Sequence, residues 1–261
     1  MNRELVKEPV RTESSEALHT APGQTKAHAD AAVSADARPF AYGLCYSKLF
    51  WIFMIGCFIG VVLETVLCLV NNHVLQNRSG VIYGPFNPIY GAGAVLMSVL
   101  LYPIAQCSNL ILFIGSALIG GGFEYLCSYL EETIFGTVSW DYSYMPLNIN
   151  GRTNVLYMLF WGVLGVIWMK QVYPLLSGLI EKFPKRWGAV LTWVLTIFML
   201  ANMLISALAV QRQALRRVGV PAENSFQQFL DYEYPDRRLS EIFPSMQPVQ
   251  PDKPDTAAKQ P

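Results

Sequence analysis

The sequence predicts an all-α, polytopic membrane helix bundle with about five transmembrane helices and disordered or peripheral tails. Three observations carry this expectation. The 261 residues are 52% hydrophobic and only 15% charged, where soluble domains hold about 25% charged residues. The net charge of +0 conceals an uneven layout, with charges gathered in the two ends and the short connections. Between them run apolar stretches of roughly twenty residues, enough to cross a ~30 Å hydrocarbon layer as helix.

The same totals exclude several function classes. There is no basic patch for nucleic acid and no acidic block. The five cysteines, Cys45, Cys57, Cys68, Cys107 and Cys127, form no CxxC pair and read as small hydrophobes. His19, His28 and His73 are scattered in polar surroundings. Neither a metal cluster nor a cofactor motif is expected.

Residues 1–40 are rich in Ala, Ser, Thr, Glu and His, too poor in large apolar residues to offset the entropy of ordering, and read as a disordered tail. The transmembrane domain is expected over 41–210. Its first span runs roughly from Leu44 to Val70 and its second from Pro88 to Ala105. The polar turn Gln106–Asn109 leads into a third, Leu110 to Leu130. After a polar, aromatic connection, Glu131 to Thr153, a fourth runs from Asn154 to about Tyr173. Pro174 to Lys185 reads as an interfacial amphipathic piece, and Trp187 to Val210 as the fifth span. Residues 211–246 form a polar, partly helical segment fit to lie against the membrane or a partner; 247–261 read as disordered. Five spans put the termini on opposite sides. Basic residues are nearly balanced between the faces, and the amino-terminal side leans cytoplasmic only if Arg78 and Arg152 serve a site.

The chain is organised around Asn77–Gly93, NRSGVIYGPFNPIYGAG, which holds four Gly, two Pro, two Asn, two Tyr and Arg78 in seventeen residues. Glycine permits close approach and φ > 0, while proline fixes φ and removes a donor. Gly80, Gly84, Pro85, Pro88 and Gly91 therefore shape a surface next to the first span. Two carboxylates lie inside spans, Glu64 and Glu124, and such residues face protein or water rather than lipid. Gly56, Gly60 and Glu64 are spaced by four, as are Ser116, Gly120, Glu124 and Ser128. Each glutamate thus extends a small-residue packing seam. The match suggests a faint repeat of two hairpins. Both carboxylates are expected at similar depth below one face, which also carries Arg78, Arg152 and the cluster Trp140-Asp141-Tyr142-Ser143. The candidate polar site is Glu64, Asn77, Arg78, Tyr90, Glu124, Trp140, Asp141, Tyr142, Asn150 and Arg152, with Gly151 shaping the second loop. The blander readings are structural glutamates, interfacial arginines and an aromatic belt.

Taken together, Glu64, Asn77-Arg78-x-Gly80, Gly84-Pro85-x-x-Pro88-Ile89-Tyr90-Gly91, Glu124-Tyr125, Trp140-Asp141-Tyr142-Ser143 and Asn150-Gly151-Arg152 resemble the bacterial membrane family of type IV ABC-transporter permeases, the CmpB-like group. Phe229-Leu230-Asp231, Tyr234-Pro235-Asp236 and Ile242-Phe243-Pro244 resemble it too, so the likeness spans roughly 45–245. Ser79 separates Arg78 from Gly80, where the family pattern has Asn-Arg-Gly contiguous. The resemblance implies transport across the cell membrane by a multi-pass protein. The chain has no GxxxxGK[ST] phosphate loop, so ATP hydrolysis would fall to a separate ATP-binding subunit. A noncatalytic scaffold or sensor and an intramembrane enzyme acting on a lipid-phosphate substrate are the alternatives. Against the enzyme stands the lack of any Ser/His, Cys/His or HExxH arrangement.

Overall fold

The computed structural model describes residues 38–248; the expectations for 1–37 and 249–261 lie outside the described residues. Helix α1 (Tyr46–Asn72) is followed by α2 (Pro88–Leu101), which a 3-10 turn extends to Ile104, and by α3 (Asn109–Phe135). Helix α4 (Val155–Ile167) passes through a π-helical segment, Trp168–Val172, into α5 (Tyr173–Glu181). Then come α6 (Lys185–Arg217), α7 (Ser225–Glu233) and α8 (Asp236–Ile242). Two short antiparallel ribbons complete the fold: β1 (Thr137–Val138) pairs with β4 (Gln247–Pro248), and β2 (Asn148–Ile149) with β3 (Thr153–Asn154).

This is an all-α membrane bundle. Four helices are long and apolar enough to cross a membrane: Tyr46–Asn71, Asn109–Phe135, Val155–Glu181 and Lys185–Arg217. The expected second span is a shorter apolar helix, Pro88–Ile104, about 25 Å long by helical rise. The fourth span does not stop near Tyr173, and Pro174–Lys185 is no separate interfacial piece. The Tyr173 N–H donates to Trp168 O, five residues back. This widened turn carries the helix past Pro174, which lacks an N–H and would crowd the carbonyl four residues back. Leu176 and Ile180 are then buried rather than laid on a surface.

Small residues set the packing. A Cβ on Gly56 would lie 2.9 Å from Ala94 Cβ and 3.1 Å from Gly91 Cα, and Gly60 lies against the Tyr90 ring. In the second hairpin Gly120 lies against the Trp161 ring, Gly121 against Met158, and Gly165 against Ser116. α1–α2 and α3–α4 are therefore two antiparallel hairpins closed along glycine seams, and the spacing of four identified both. In each, the returning helix starts on an asparagine cap: Asn87 accepts from Ile89 N–H at 3.1 Å, Asn154 from Leu156 N–H at 2.7 Å.

Each returning helix begins well below the end of its partner. The Asn87 N–H donates to Cys57 O at 3.1 Å, about four turns before α1 ends. Thr153 reaches Glu124, about three turns before α3 ends. The connections 73–87 and 136–154 thus run back alongside the helices they follow. Asn87 also donates to Arg78 O at 3.2 Å, tying cap to loop. Asn87→Ala is expected to cost about 1–2 kcal/mol, read as a lowered Tm in nanodiscs; an unchanged Tm would show that the cap does not hold the loop.

Helix α6 closes the bundle with a buried stripe, Gly188, Thr192, Thr196, Met199, Asn202, Ser206, Ala209 and Gln213, spaced by three or four as one helical face requires. Tyr46 shares a 2.7 Å hydrogen bond with Thr196, and Trp51 Nε1 donates to Thr192 at 3.0 Å. The Phe40 ring packs on Gly188, so the packed core takes in a residue that the sequence reading gave to the tail. Lys48, a basic residue near the start of the first span, is wholly buried. Its Nζ donates to Ser177 O at 3.0 Å, to Ser177 Oγ, and to Glu181 Oε1 at 2.6 Å, stapling α1 to α5.

α6 continues past Val210, where the fifth span was expected to end, to Arg217. There α7 and α8 fold against it. Ala209, Val210, Leu230, Tyr234, Leu239 and Phe243 form their shared core, against which Ile82 and Phe135 also pack. Gln247 and Pro248, read from sequence as disordered, are held in the ribbon with β1.

Candidate functional site

The loop Asn77–Asn87 is folded by its own special residues. Asn77 Oδ1 accepts from Ser79 N–H at 2.9 Å, and Gly80 N–H donates to Phe86 O at 3.0 Å. A Cβ on Gly80 would stand 2.7 Å from Asn87 Oδ1. Gly84 has φ +82°, and Pro85 is the centre of a three-residue turn closed by Phe86 N–H to Gly84 O at 3.0 Å. Pro88 lies in the first turn of α2, where its missing donor costs nothing. Gly91 meets Phe53 O, 2.6 Å from where a Cβ would be.

In a bilayer such irregular backbone has no water to satisfy it. Helix α6 supplies the partners. Tyr83 N–H donates to Asn202 Oδ1 at 3.1 Å, and Asn202 Nδ2 returns a bond to Tyr83 O at 2.7 Å. Ile82 N–H donates to Ser206 Oγ at 2.9 Å. Asn202 and Ser206 are both buried. The sequence reading did not single them out, although with Thr192 and Thr196 they make a polar line at helical spacing through an apolar span, which is a legible signal.

Around this scaffold the expected site residues fall into two clusters. In the first, Arg78 Nη1 stands 3.3 Å from Glu64 Oε1 and donates to Ser245 Oγ at 2.6 Å, while Nη2 reaches Cys68 Sγ at 3.3 Å. The Tyr90 hydroxyl donates to Glu64 Oε2. Arg78 Nε is, among the described residues, the buried side-chain atom left without a hydrogen-bond partner.

In the second, Glu124 accepts from Tyr142 OH at 2.9 Å and from Thr153 Oγ1 at 2.7 Å. Tyr142 stacks on Tyr157 with centroids 4.6 Å apart. Burial, and then the charge of Glu124, push the Tyr142 phenol well above its ordinary pKa, so it remains a proton donor. Arg152 pairs with Glu132, not with Glu124; it also meets Ser128 Oγ at 3.4 Å and lies over the Tyr125 and Tyr129 rings. Trp140 Nε1 donates to Arg152 O at 2.9 Å, and Asn150 Nδ2 to Tyr125 OH at 3.0 Å. Asp141 is turned into its own loop, accepting from Ser143 N–H at 2.8 Å and Ser143 Oγ at 2.6 Å. Gly151 has φ +69°, and a Cβ there would stand 2.8 Å from Asp141 Oδ1.

The arrangement thus differs from the expected site of two buried glutamates beneath two arginines, and both glutamates are only half-buried. Glu64 has its arginine; Glu124 is held by two neutral hydroxyls. Nor do the carboxylates stand equally far from their helix ends: Glu64 lies eight residues before the end of α1, Glu124 eleven before the end of α3. Counting from an expected exit near Leu130 missed this, because α3 runs on to Phe135. Asn77, Asp141 and Asn150 shape loops. Ser245, Glu132, Thr153 and Asn87 were not foreseen, and they engage the foreseen residues.

Fold and seams define a helical membrane protein built from two glycine-packed hairpins and a closing helix. The model of the family described as "Putative ABC-transporter type IV" matches residues 51–207, and the chain belongs to that family. The matched region contains Glu64, Arg78, Glu124 and Arg152 and ends before Phe229–Pro244. No curated protein and no solved structure matched the chain.

Proposed function

We propose that this chain is a multi-pass, cell-membrane component of an ABC-type transport system, without catalysis of its own, that works with a separate ATP-binding subunit. Glu64 and Glu124 receive a cation or polar substrate, with Arg78 and Arg152 toward the mouth. The observation that supports this best is the glycine- and proline-shaped loop 77–87 beside a span carboxylate, its backbone tied to Asn202 and Ser206. Irregular backbone at membrane depth belongs where it lines a site. A substrate cation at Glu64 would compete with Arg78, whose guanidinium already has a second acceptor in Ser245.

The test is affinity purification of the full chain from native membranes in mild detergent. An ATP-binding subunit carrying a phosphate loop is expected to co-purify; its absence from crosslinked and uncrosslinked samples alike would sink the reading.

A second reading, a noncatalytic scaffold or sensor, draws support from the pairing of both arginines with carboxylates, Arg78–Glu64 and Arg152–Glu132. Glu64→Gln separates the two. A transport site predicts a folded variant with lost flux in proteoliposomes, whereas a lock predicts loss of the fold itself.

A further inference from the structure

Beside the loop lies a cleft of about 200 Å³. Its walls come from five parts of the chain: Val81 in the loop, Pro88 at the start of α2, Phe135 at the end of α3, Met203 and Ala207 on α6, and Phe243 and Met246 from the carboxy-terminal arm. The lining is almost wholly apolar, and its polar members are already engaged: Gly80 N–H bonds Phe86 O, and Ser206 Oγ bonds Ile82 N–H and Asn202 O. An apolar cavity of about 150 Å³ stays dry and accepts a hydrocarbon guest. Water therefore has little to hold it here.

The position on α6 says what fills the cleft instead. Asn202 and Ser206 lie on the packed face of that helix and are buried, whereas Leu200 and Leu204 are 62% and 61% exposed. Met203 and Ala207 lie between these faces, one helical turn apart. Met203 is itself 37% exposed. Met203 therefore joins the cleft to the outer apolar surface of a helix long and apolar enough to cross a bilayer. Phe243 and Met246 close the cleft from the side of the arm.

From this geometry we infer that the cleft is a lipid site, which takes the acyl chain of a bilayer phospholipid against Met203 and Ala207 and beneath Phe243 and Met246. The chain completes the core that joins α6 to the arm. This holds whether or not the protein transports anything.

The test uses the full chain in nanodiscs containing a phosphatidylethanolamine with a photoactivatable diazirine on its acyl chain. Crosslinked peptides are mapped by mass spectrometry. Strong labelling of Phe243 and Met246 is expected, although Phe243 is nearly covered by protein. Ala207→Phe fills the cleft and should reduce that labelling several-fold, whereas Leu204→Phe on the outer face should not. Met203→Trp at the mouth serves if Ala207→Phe does not fold. Label confined to the outer face of α6, or equal labelling of Phe243 and Met246 in the cleft-filling variant, would overturn the inference. So would rapid hydroxyl-radical oxidation of both Met203 and Met246 in the unmodified protein, which would mean a water-filled cleft, or a crosslink through Met203 to a second copy.

Discussion

Asn202→Leu is expected to destabilise the protein by about 2–6 kcal/mol, since it takes a buried amide away from two backbone groups of the loop, at about 1–3 kcal/mol each where no water replaces it. In the native protein one amide satisfies both the N–H and the C=O of Tyr83. Leucine is close in size, so packing is little disturbed, and the cost comes from the two orphaned groups. In water the loop would recover them; at membrane depth it cannot. Two measurements check this. The Tm in nanodiscs should fall sharply, and the Tyr83 amide should lose its protection from hydrogen exchange while α3 and α4 keep theirs. Ser206→Ala frees a single N–H, that of Ile82, and should cost about 1–3 kcal/mol. Equal effects from the two variants would show that the Asn202 amide does not hold Tyr83 at both ends.

The loop and its clamp also show what the sequence reveals and what it hides. The hairpins were legible because helix packing leaves a local trace: Gly56, Gly60 and Glu64, and Ser116, Gly120 and Glu124, repeat at the helical period. Their contacts with Tyr90 and Trp161 follow from it. The loop was legible as special because Gly84 and Pro85 restrict the backbone wherever they stand. Its height was not, because no local rule says where a connection goes after it leaves a helix. The chain from 73 to 87 returns along α1 only because Asn87 finds Cys57 O and Asn202 finds Tyr83. Both are long-range contacts between residues of ordinary type. The same holds for Arg152. Sequence placed it on the face above both carboxylates without naming its partner; Glu132, three residues beyond Tyr129 on a helix longer than its apolar run, takes the ion pair. Helix α3 runs past its apolar stretch to Phe135, with the stop at Gly136, φ +63°.

Docking of the carboxy-terminal arm should be sensitive to charge, and Arg212→Leu is the variant that tests it. Arg212, 3% exposed, donates to both oxygens of Asp231, at 2.9 Å each, and to Val220 O at 3.0 Å. Removing one partner of a buried ion pair costs about 3–5 kcal/mol. Asp231 is partly exposed and keeps Arg216 at 2.5 Å, so no buried charge is left unpaired and the loss is expected below that range. Acid should reproduce it. The Arg212 hydrogen bonds, with Arg216 second, hold the Asp231 carboxyl below its ordinary pKa. A depressed acid contributes stability that is present above the unfolded value, about 3.9, and is lost as pH falls through the folded one. At the alkaline end Tyr234 acts in the opposite sense. Burial first, and its hydrogen bond with Tyr83 second, raise its phenol to about 12. Its contribution is intact below an unfolded value of about 10 and lost as pH rises from there through the folded value. Hydrogen exchange at Leu230 and Tyr234 in nanodiscs reads both limbs. Protection should be flat from about pH 5 to pH 9, fall on either side, and lose most of its acid limb in Arg212→Leu. Protection that strengthened in acid, or an unchanged acid limb in the variant, would mean that the Arg212–Asp231 pair does not hold the arm against α6.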